Sequence, residues 1–202
     1  MEKRRQKAPL RLKMVVVGSS SVGKTCLVTA FTKGFFPETF SETYRENHIV
    51  DLNLDGVAVE VTLWDTIGNE DYDRLRWLTY HSVSIFILCY GIDMPDSLED
   101  VSKRWVPELV HLCPESPIML VGCKKDVRQN YRTLEALRET GQRPLTEEEG
   151  MGVAQEFKFR HFVECSAKMG EGIDEVFDLA AREAKAHQAT LKKVRPQKCV
   201  VL

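Results

Sequence analysis

The chain has 202 residues, 43% hydrophobic and 29% charged, with a formal net charge of −2. This length suits one domain with short tails and a full core, the composition is that of an ordinary soluble globular protein, and the near-neutral charge gives no global reason to expect nucleic-acid binding. The six cysteines (Cys26, Cys89, Cys113, Cys123, Cys165, Cys199) are scattered with no C-x-x-C pair, which reads as reduced thiols in a cytosolic chain and excludes a disulfide scaffold.

Residues 1–10 are basic, and Met1 to Lys7 is too charged for a signal peptide. A strand is predicted from Arg11 to Val17, then a glycine-bounded loop, then a helix through about Phe31. A polar loop covers Lys33 to Arg45, and strands follow at Asn47–Leu54 and Val57–Asp65, with Asp55-Gly56 as the hairpin turn between them. Ile85–Tyr90 and Ile118–Gly122 are short apolar runs, as in strands buried on both faces. Between them a helix carries Val101, Trp105 and Leu109 on one face, which assigns Trp105 to the core. Arg132–Thr140 reads as a charged helix, and Thr146 to Glu149 as a capping box opening another. His161–Cys165 is the last strand. Ile173, Val176, Phe177 and Ala180 mark the buried face of a final helix. Alternating strands and helices imply an α/β fold, a doubly wound, mostly parallel sheet of six strands with its ligand site at the carboxyl ends of the strands. No apolar run is long enough to span a bilayer.

The chemistry concentrates in four segments. Gly18, Ser19, Ser20, Ser21, Val22, Gly23, Lys24 and Thr25 spell G-x-x-x-x-G-K-T between a strand and a helix, the context of a phosphate-binding loop. Backbone N–H groups and the helix N-terminus would hold phosphates, Lys24 would reach the β- and γ-phosphates, and the Thr25 hydroxyl would bind Mg²⁺. Taken alone, this loop does not separate GTPases from ATPases and nucleotide kinases. Trp64-Asp65-Thr66-Ile67-Gly68 ends a strand with a carboxylate that can hold Mg²⁺ through water and a glycine N–H that can face the γ-phosphate. In Cys123-Lys124-Lys125-Asp126 a carboxylate can accept from guanine N1–H and the 2-amino group, an arrangement adenine does not offer. Backbone N–H groups of Ser166, Ala167 and Lys168 can bind the guanine carbonyl oxygen. The histidines (His48, His81, His111, His161, His187) show no ligand spacing.

With these segments the chain resembles a Ras-superfamily small GTPase, and within it the Rho family, over about residues 11–202. The Rho-like marks are Asp71-Tyr72-Asp73-Arg74-Leu75-Arg76 and the charged helical insert at about 128–142. The resemblance divides the chain into a basic extension (1–10), a GTP-binding domain (11–185) and a basic tail (186–202). It implies that Thr43 joins Thr25 and Asp65 at Mg²⁺, that Phe36 packs on the guanine edge, and that Lys124 and Lys168 lay their stems along the base. Effector proteins would engage switch I, about Phe40 to His48, and switch II, about Thr66 to Tyr80. Exchange factors and prenyl-binding inhibitors are further partners that the resemblance implies.

Several positions depart from the family pattern. Ser20 stands where glycine is usual, and Ile67-Gly68-Asn69 stands for Ala-Gly-Gln. The glutamine orients the attacking water. Asn69 keeps the amide but falls short by roughly 1.3 Å, close to one C–C bond, and a misplacement of about 1 Å can cost on the order of 100-fold. Ser20 would crowd the amide and an incoming arginine. The pair is similar to the atypical, Rnd-like branch and implies GTP retention with slow hydrolysis, against a conventional cycling GTPase; a P-loop kinase is a remoter alternative. Cys123 replaces a common asparagine, Glu42 a proline, and Arg45 an apolar aromatic. The C-terminal Cys199-Val200-Val201-Leu202 is a C-a-a-X box whose terminal Leu favours a geranylgeranyl group on Cys199. The basic residues Lys185, Lys192, Lys193, Arg195 and Lys198 supply a second attraction to an anionic membrane surface. Together they imply the cytoplasmic face of a membrane, the plasma membrane foremost.

Overall fold

The computed structural model describes residues 9–38 and 45–194, apart from the side chains of Arg45 and of residues 192–194. Thr43, the Phe40–Tyr44 part of switch I, and Cys199 lie outside the described residues.

Six strands form one sheet: β1 (Leu10–Val17), β2 (Arg45–Leu54), β3 (Val57–Thr66), β4 (Ile85–Gly91), β5 (Ile118–Cys123) and β6 (Phe162–Glu164), in the order β2-β3-β1-β4-β5-β6. Only β2 runs antiparallel, paired to β3 through the Asp55-Gly56 turn, where both residues take positive φ. The sheet is doubly wound because each central strand is apolar on both faces. Leu12, Met14 and Val16 face one core with Ile85, Ile87 and Cys89, while Val15 and Val17 face the other with Phe86, Leu88 and Tyr90. Helices α1 (Lys24–Lys33) and α7 (Ile173–Val194) close the first face. Helices α3 (Pro95–Asp100), α4 (Val106–Leu112) and α6 (Glu147–Glu156) close the second. Short α2 (Asp73–Trp77) follows a 3-10 turn at Glu70–Tyr72, and α5 (Tyr131–Glu139) follows another at Lys125–Gln129.

Several boundaries differ from the sequence reading. Pairing with Val59 draws Leu10 into β1, and pairing with Thr66 draws Arg45 into β2, out of the anticipated loop. Helix α1 runs on to Lys33 and stops at Gly34, whose φ of 74° lets its N–H return to Ala30 O. Asn130 caps α5 by accepting from Thr133 N at 3.3 Å, which starts the helix at Tyr131 and leaves Thr140 past its end. Strand β6 holds only three residues; His161 and Cys165 flank it. The capping box forms as read, with Glu149 N donating to Thr146 Oγ1 and Thr146 N to Glu149.

Helix α7 continues unbroken across the expected division at 185/186, because Ala180, Ala181 and Ala184 pack on the sheet and Gln188 reaches Arg11 O at 3.1 Å. Sequence periodicity also misses a π turn, Val101–Trp105, between α3 and α4. There the Val106 N–H bonds to Val101 O, one residue wider than α-helical. Pro107 brings no N–H to the next rung, and the wider turn accommodates the gap.

Candidate functional site

Register brings the site together. Val16 pairs with Asp65, Gly91 with Cys123 and Gly122 with Glu164, so the loops leaving β1, β3, β5 and β6 all emerge at one edge of the sheet. The phosphate loop turns tightly out of β1. Gly18 has φ 135°, and any side chain there would collide with the Cys89 carbonyl, so glycine is obligatory. Ser21 (φ 62°) and Gly23 (φ 111°) are also left-handed, which turns successive N–H groups into a concave nest ahead of α1. Ser20 and Ser21 are exposed, and Ser19 and Val22 are buried.

Lys24 is 6% exposed and curls over the nest, donating to Gly18 O and Ser19 O at 2.8 Å each. Burial pushes its pKa down, against the attraction of Asp65. Such an ammonium gains most from a multiply charged anion in the nest beside it. Asp65 is 1% exposed, and burial pushes its carboxyl up, against a hydrogen bond from Thr25. One of its oxygens, Oδ1, is buried without a hydrogen-bond partner among the described residues. A buried, half-satisfied carboxylate bonded to a threonine hydroxyl fits a divalent cation with oxygen ligands.

Gly68 presses directly on the phosphate loop. A Cβ there would lie 2.5 Å from Gly18 O and from Ser20 N. Asn69 is exposed, and its side chain is committed locally: Oδ1 accepts from Asp71 N at 3.0 Å and caps the turn at Glu70–Tyr72.

On the base side, Asp126 is the second residue of the Lys125–Gln129 turn, and its Oδ1 accepts from Ser166 Oγ at 2.6 Å. The Ser166 backbone N–H is spent on Glu171 O, so of the three amides read as facing the base only those of Ala167 and Lys168 remain for that role. Lys124, left-handed at φ 65°, donates to Asp93 at 2.8 Å, and its stem lies against Gly23. Cys123 is 3% exposed beneath this loop. Hydrogen bonds with Cys165 and then Cys89 hold its thiol below the usual range, while Cys89 and Cys165 are pushed up by the same bonds and by burial. A buried thiol row thus occupies the place of the common asparagine amide. Lys168 is exposed at the rim, and Phe36 is half-buried in the segment after α1.

Residues to which sequence motifs assign no role at the nucleotide also reach the site. Arg76 is 2% exposed and ion-paired to Glu108 (2.7 Å) and Asp73 (2.6 Å), and Tyr80 donates to Glu108 at 2.6 Å. Burial works against the Arg76 charge, and the Glu108 hydrogen bond with its neighbours outweighs it, raising the pKa. Trp105, assigned to the core, is fully buried and donates its indole N–H to Ser19 of the phosphate loop. Nothing in helical periodicity distinguishes a tryptophan whose N–H meets a loop from one that only fills space.

Comparison with known proteins agrees with this constellation. The Ras family pattern matches residues 13–186. The chain is 47% identical over 195 residues to the GTP-binding protein RHO1 of Candida albicans, covering 96% of this chain and 98% of the relative. It is 45% identical over 196 residues to the GTP-binding protein rho5 of Schizosaccharomyces pombe, at the same coverage. It is 46% identical over 202 residues to the GTP-binding protein RHO1 of Saccharomyces cerevisiae, covering 96% of each chain. With a phosphate loop, a buried Asp65 and a Ser166-braced Asp126 at one sheet edge, the chain belongs to the Ras family of small GTPases, as a Rho-type GTP-binding switch.

Proposed function

We propose that this Rho-type switch holds GTP for long periods and acts as a loaded binding module, hydrolysing its nucleotide slowly. The family hydrolyses GTP, so the question for this chain is rate. The observation that carries the reading is the Asn69 side chain, whose amide oxygen caps the Glu70–Tyr72 turn, a contact that competes with orienting water. Ser20 adds a side chain where the loop ordinarily has none, at the amide against which Gly68 packs. GTP binding needs neither residue. Phosphates would sit in the nest under Lys24, Mg²⁺ would be held by Thr25, Asp65 and Thr43, and guanine would be read by Asp126 with the amides of Ala167 and Lys168. When bound, Mg²⁺ supplies charge neutralisation of the β- and γ-oxygens. Lys24, Thr43 and Gly68 would surround the terminal phosphate, with Asn69 as a weak stand-in for the catalytic glutamine.

Effectors would engage switch I and switch II, where Leu75, Trp77 and Leu78 are exposed in and after α2. Glu42 and Arg45 bring charge into the switch I sequence, which would change the choice among partners. A geranylgeranyl group on Cys199 with the basic tail would hold the protein on the cytoplasmic face of the plasma membrane. Among the described residues no helix is long and apolar enough to cross a membrane, and a lipid with basic residues would supply the attachment. By the family resemblance, its signalling would act on the cytoskeleton and cell polarity.

The test is to release and identify the nucleotide from freshly purified protein. Mostly GTP is expected; mostly GDP would make this an ordinary cycling GTPase.

A further inference from the structure

Trp105 joins two parts of the site that approach the terminal phosphate from different sides. Its indole N–H donates to Ser19 Oγ at 3.1 Å, and the same hydroxyl donates to Asp100 Oδ2 at 2.7 Å. Ser19 is therefore clamped between the π turn and the end of α3. Two guanidinium groups, Arg76 and Arg104, lie over the indole, each with its carbon 4.6 Å from the ring centroid. Such stacking on a desolvated indole is favourable and directional. The two arginines in turn hold three consecutive backbone carbonyls of switch II. Arg76 Nη1 donates to Ile67 O at 3.2 Å and to Asn69 O at 3.5 Å, and Arg104 Nη1 donates to Gly68 O at 3.2 Å. Both arginines also share Asp73 Oδ1, at 2.6 and 2.9 Å. Gly68 itself rests on the backbone of Ser19 and Ser20. One side chain thus governs the phosphate loop on one side and the Gly68 peptide on the other.

We propose that Trp105 is a positioning residue for terminal-phosphate recognition, fixing Ser19 and, through Arg76 and Arg104, the Gly68 backbone, and so setting the preference for a nucleoside triphosphate over the diphosphate. This rests on the reading that the Gly68 N–H faces the γ-phosphate. A diphosphate makes no contact at that position. Loosening Gly68 therefore weakens triphosphate binding alone, whereas damage to packing weakens both nucleotides together. The π turn contributes by ending at Trp105, next to Arg104, so that neighbouring side chains meet the phosphate loop at Ser19 and switch II at Gly68.

The experiment compares dissociation constants for GTPγS and GDP, with Mg²⁺, in the wild type and in Trp105→Phe, Arg104→Ala and Ser19→Ala. Trp105→Phe keeps an aromatic ring and removes the N–H donor. Arg104 has a side chain one-quarter exposed, so its removal spares the core. Losing one such hydrogen bond is expected to lower the GDP-to-GTPγS ratio of dissociation constants about fivefold. GDP affinity should hold in Arg104→Ala, whose hydrogen bonds go to switch II and not to the phosphate loop. Trp105→Phe combined with Ser19→Ala should lower the ratio no further than Ser19→Ala alone, because removing the hydroxyl already breaks the Trp105 bond along with that to Asp100. An unchanged ratio, or equal losses for both nucleotides, overturns the proposal. If Trp105→Phe fails to fold, Arg104→Ala decides by the same ratio. Wild-type protein that shows no triphosphate preference would instead overturn the assignment of Gly68 to the γ-phosphate.

Discussion

The side-chain oxygen of Asn69 accepts a 3.0 Å hydrogen bond from the backbone N–H of Asp71. Asparagine is well suited to this cap, since its short side chain folds back onto the N–H two residues on. Glutamine, one methylene longer, fits the cap poorly and leaves its amide free. The substitution therefore shortens the reach toward water and gives the amide a competing partner. Single-turnover GTP hydrolysis by the wild type should be slow, and Ser20→Gly/Asn69→Gln should raise it on the order of 100-fold. Equal rates in the two proteins would sink the idea.

Ser166→Ala should weaken guanine nucleotide binding. The Ser166 hydroxyl holds the Asp126 carboxylate at 2.6 Å. Hydrogen bonds to charged groups contribute about 1.5–3 kcal/mol, so GDP affinity should drop roughly 10- to 100-fold by that conversion. Titration with fluorescent GDP reads this directly, and an unaltered affinity would mean that Asp126 holds its position unaided.

Gly68→Ala inserts a methyl group 2.5 Å from backbone atoms of the phosphate loop. Backbone cannot yield as a flexible side chain does, so switch II must withdraw. Overpacking of this kind costs about 1–3 kcal/mol. GTPγS affinity should fall by about tenfold on that scale, with a smaller loss for GDP; limited proteolysis within residues 66–80 should quicken in the GTPγS complex. An unchanged cleavage pattern would count against contact between Gly68 and the loop.

Removing Glu108 strands a buried cation. The Arg76 side chain is fully buried, and beside Asp73 at 2.6 Å it pairs with the largely buried carboxylate of Glu108 at 2.7 Å. Breaking such a pair from one side costs about 3–5 kcal/mol. Denaturant unfolding of Glu108→Ala should register a loss of this size, because Asp73 alone neutralises only one side of the guanidinium. A loss below about 1 kcal/mol, the scale of an exposed pair, would show that water replaces Glu108 freely.

Cys199→Ser should move the protein from the membrane to the soluble fraction, since a polybasic segment without its lipid binds only weakly. Fractionation of cells expressing each form tests it, and persistent membrane association of the variant would exclude lipid anchoring at Cys199.

The sheet and the outline of the site were legible because their signals are local. Val15 to Val17 followed by Gly18 and Gly23-Lys24-Thr25 specifies a buried strand and a loop with left-handed turns, whatever surrounds it. The apolar runs at Ile85 and Ile118 declare strands buried on both faces, and Thr146 with Glu149 announces a helix start. Boundaries such as Arg45 in β2 escaped because pairing with Thr66 is a long-range choice. The roles of Trp105, Arg76, Arg104 and Glu108 escaped for the same reason. Their partners stand up to 86 residues away in the chain, as Trp105 does from Ser19.

By itself, the order of residues determined the glycine-bounded G-x-x-x-x-G-K-T loop between strand and helix and pointed to Asp126 as the proposed reader of guanine, since those chemistries need particular residue types at short spacing. Only the tertiary structure decided what the unusual positions do. Asn69 became a cap, Ser166 a brace for Asp126, and Trp105 the tie between the phosphate loop and switch II. Each is a directional contact, and its direction exists only once the sheet has set the separate loops side by side.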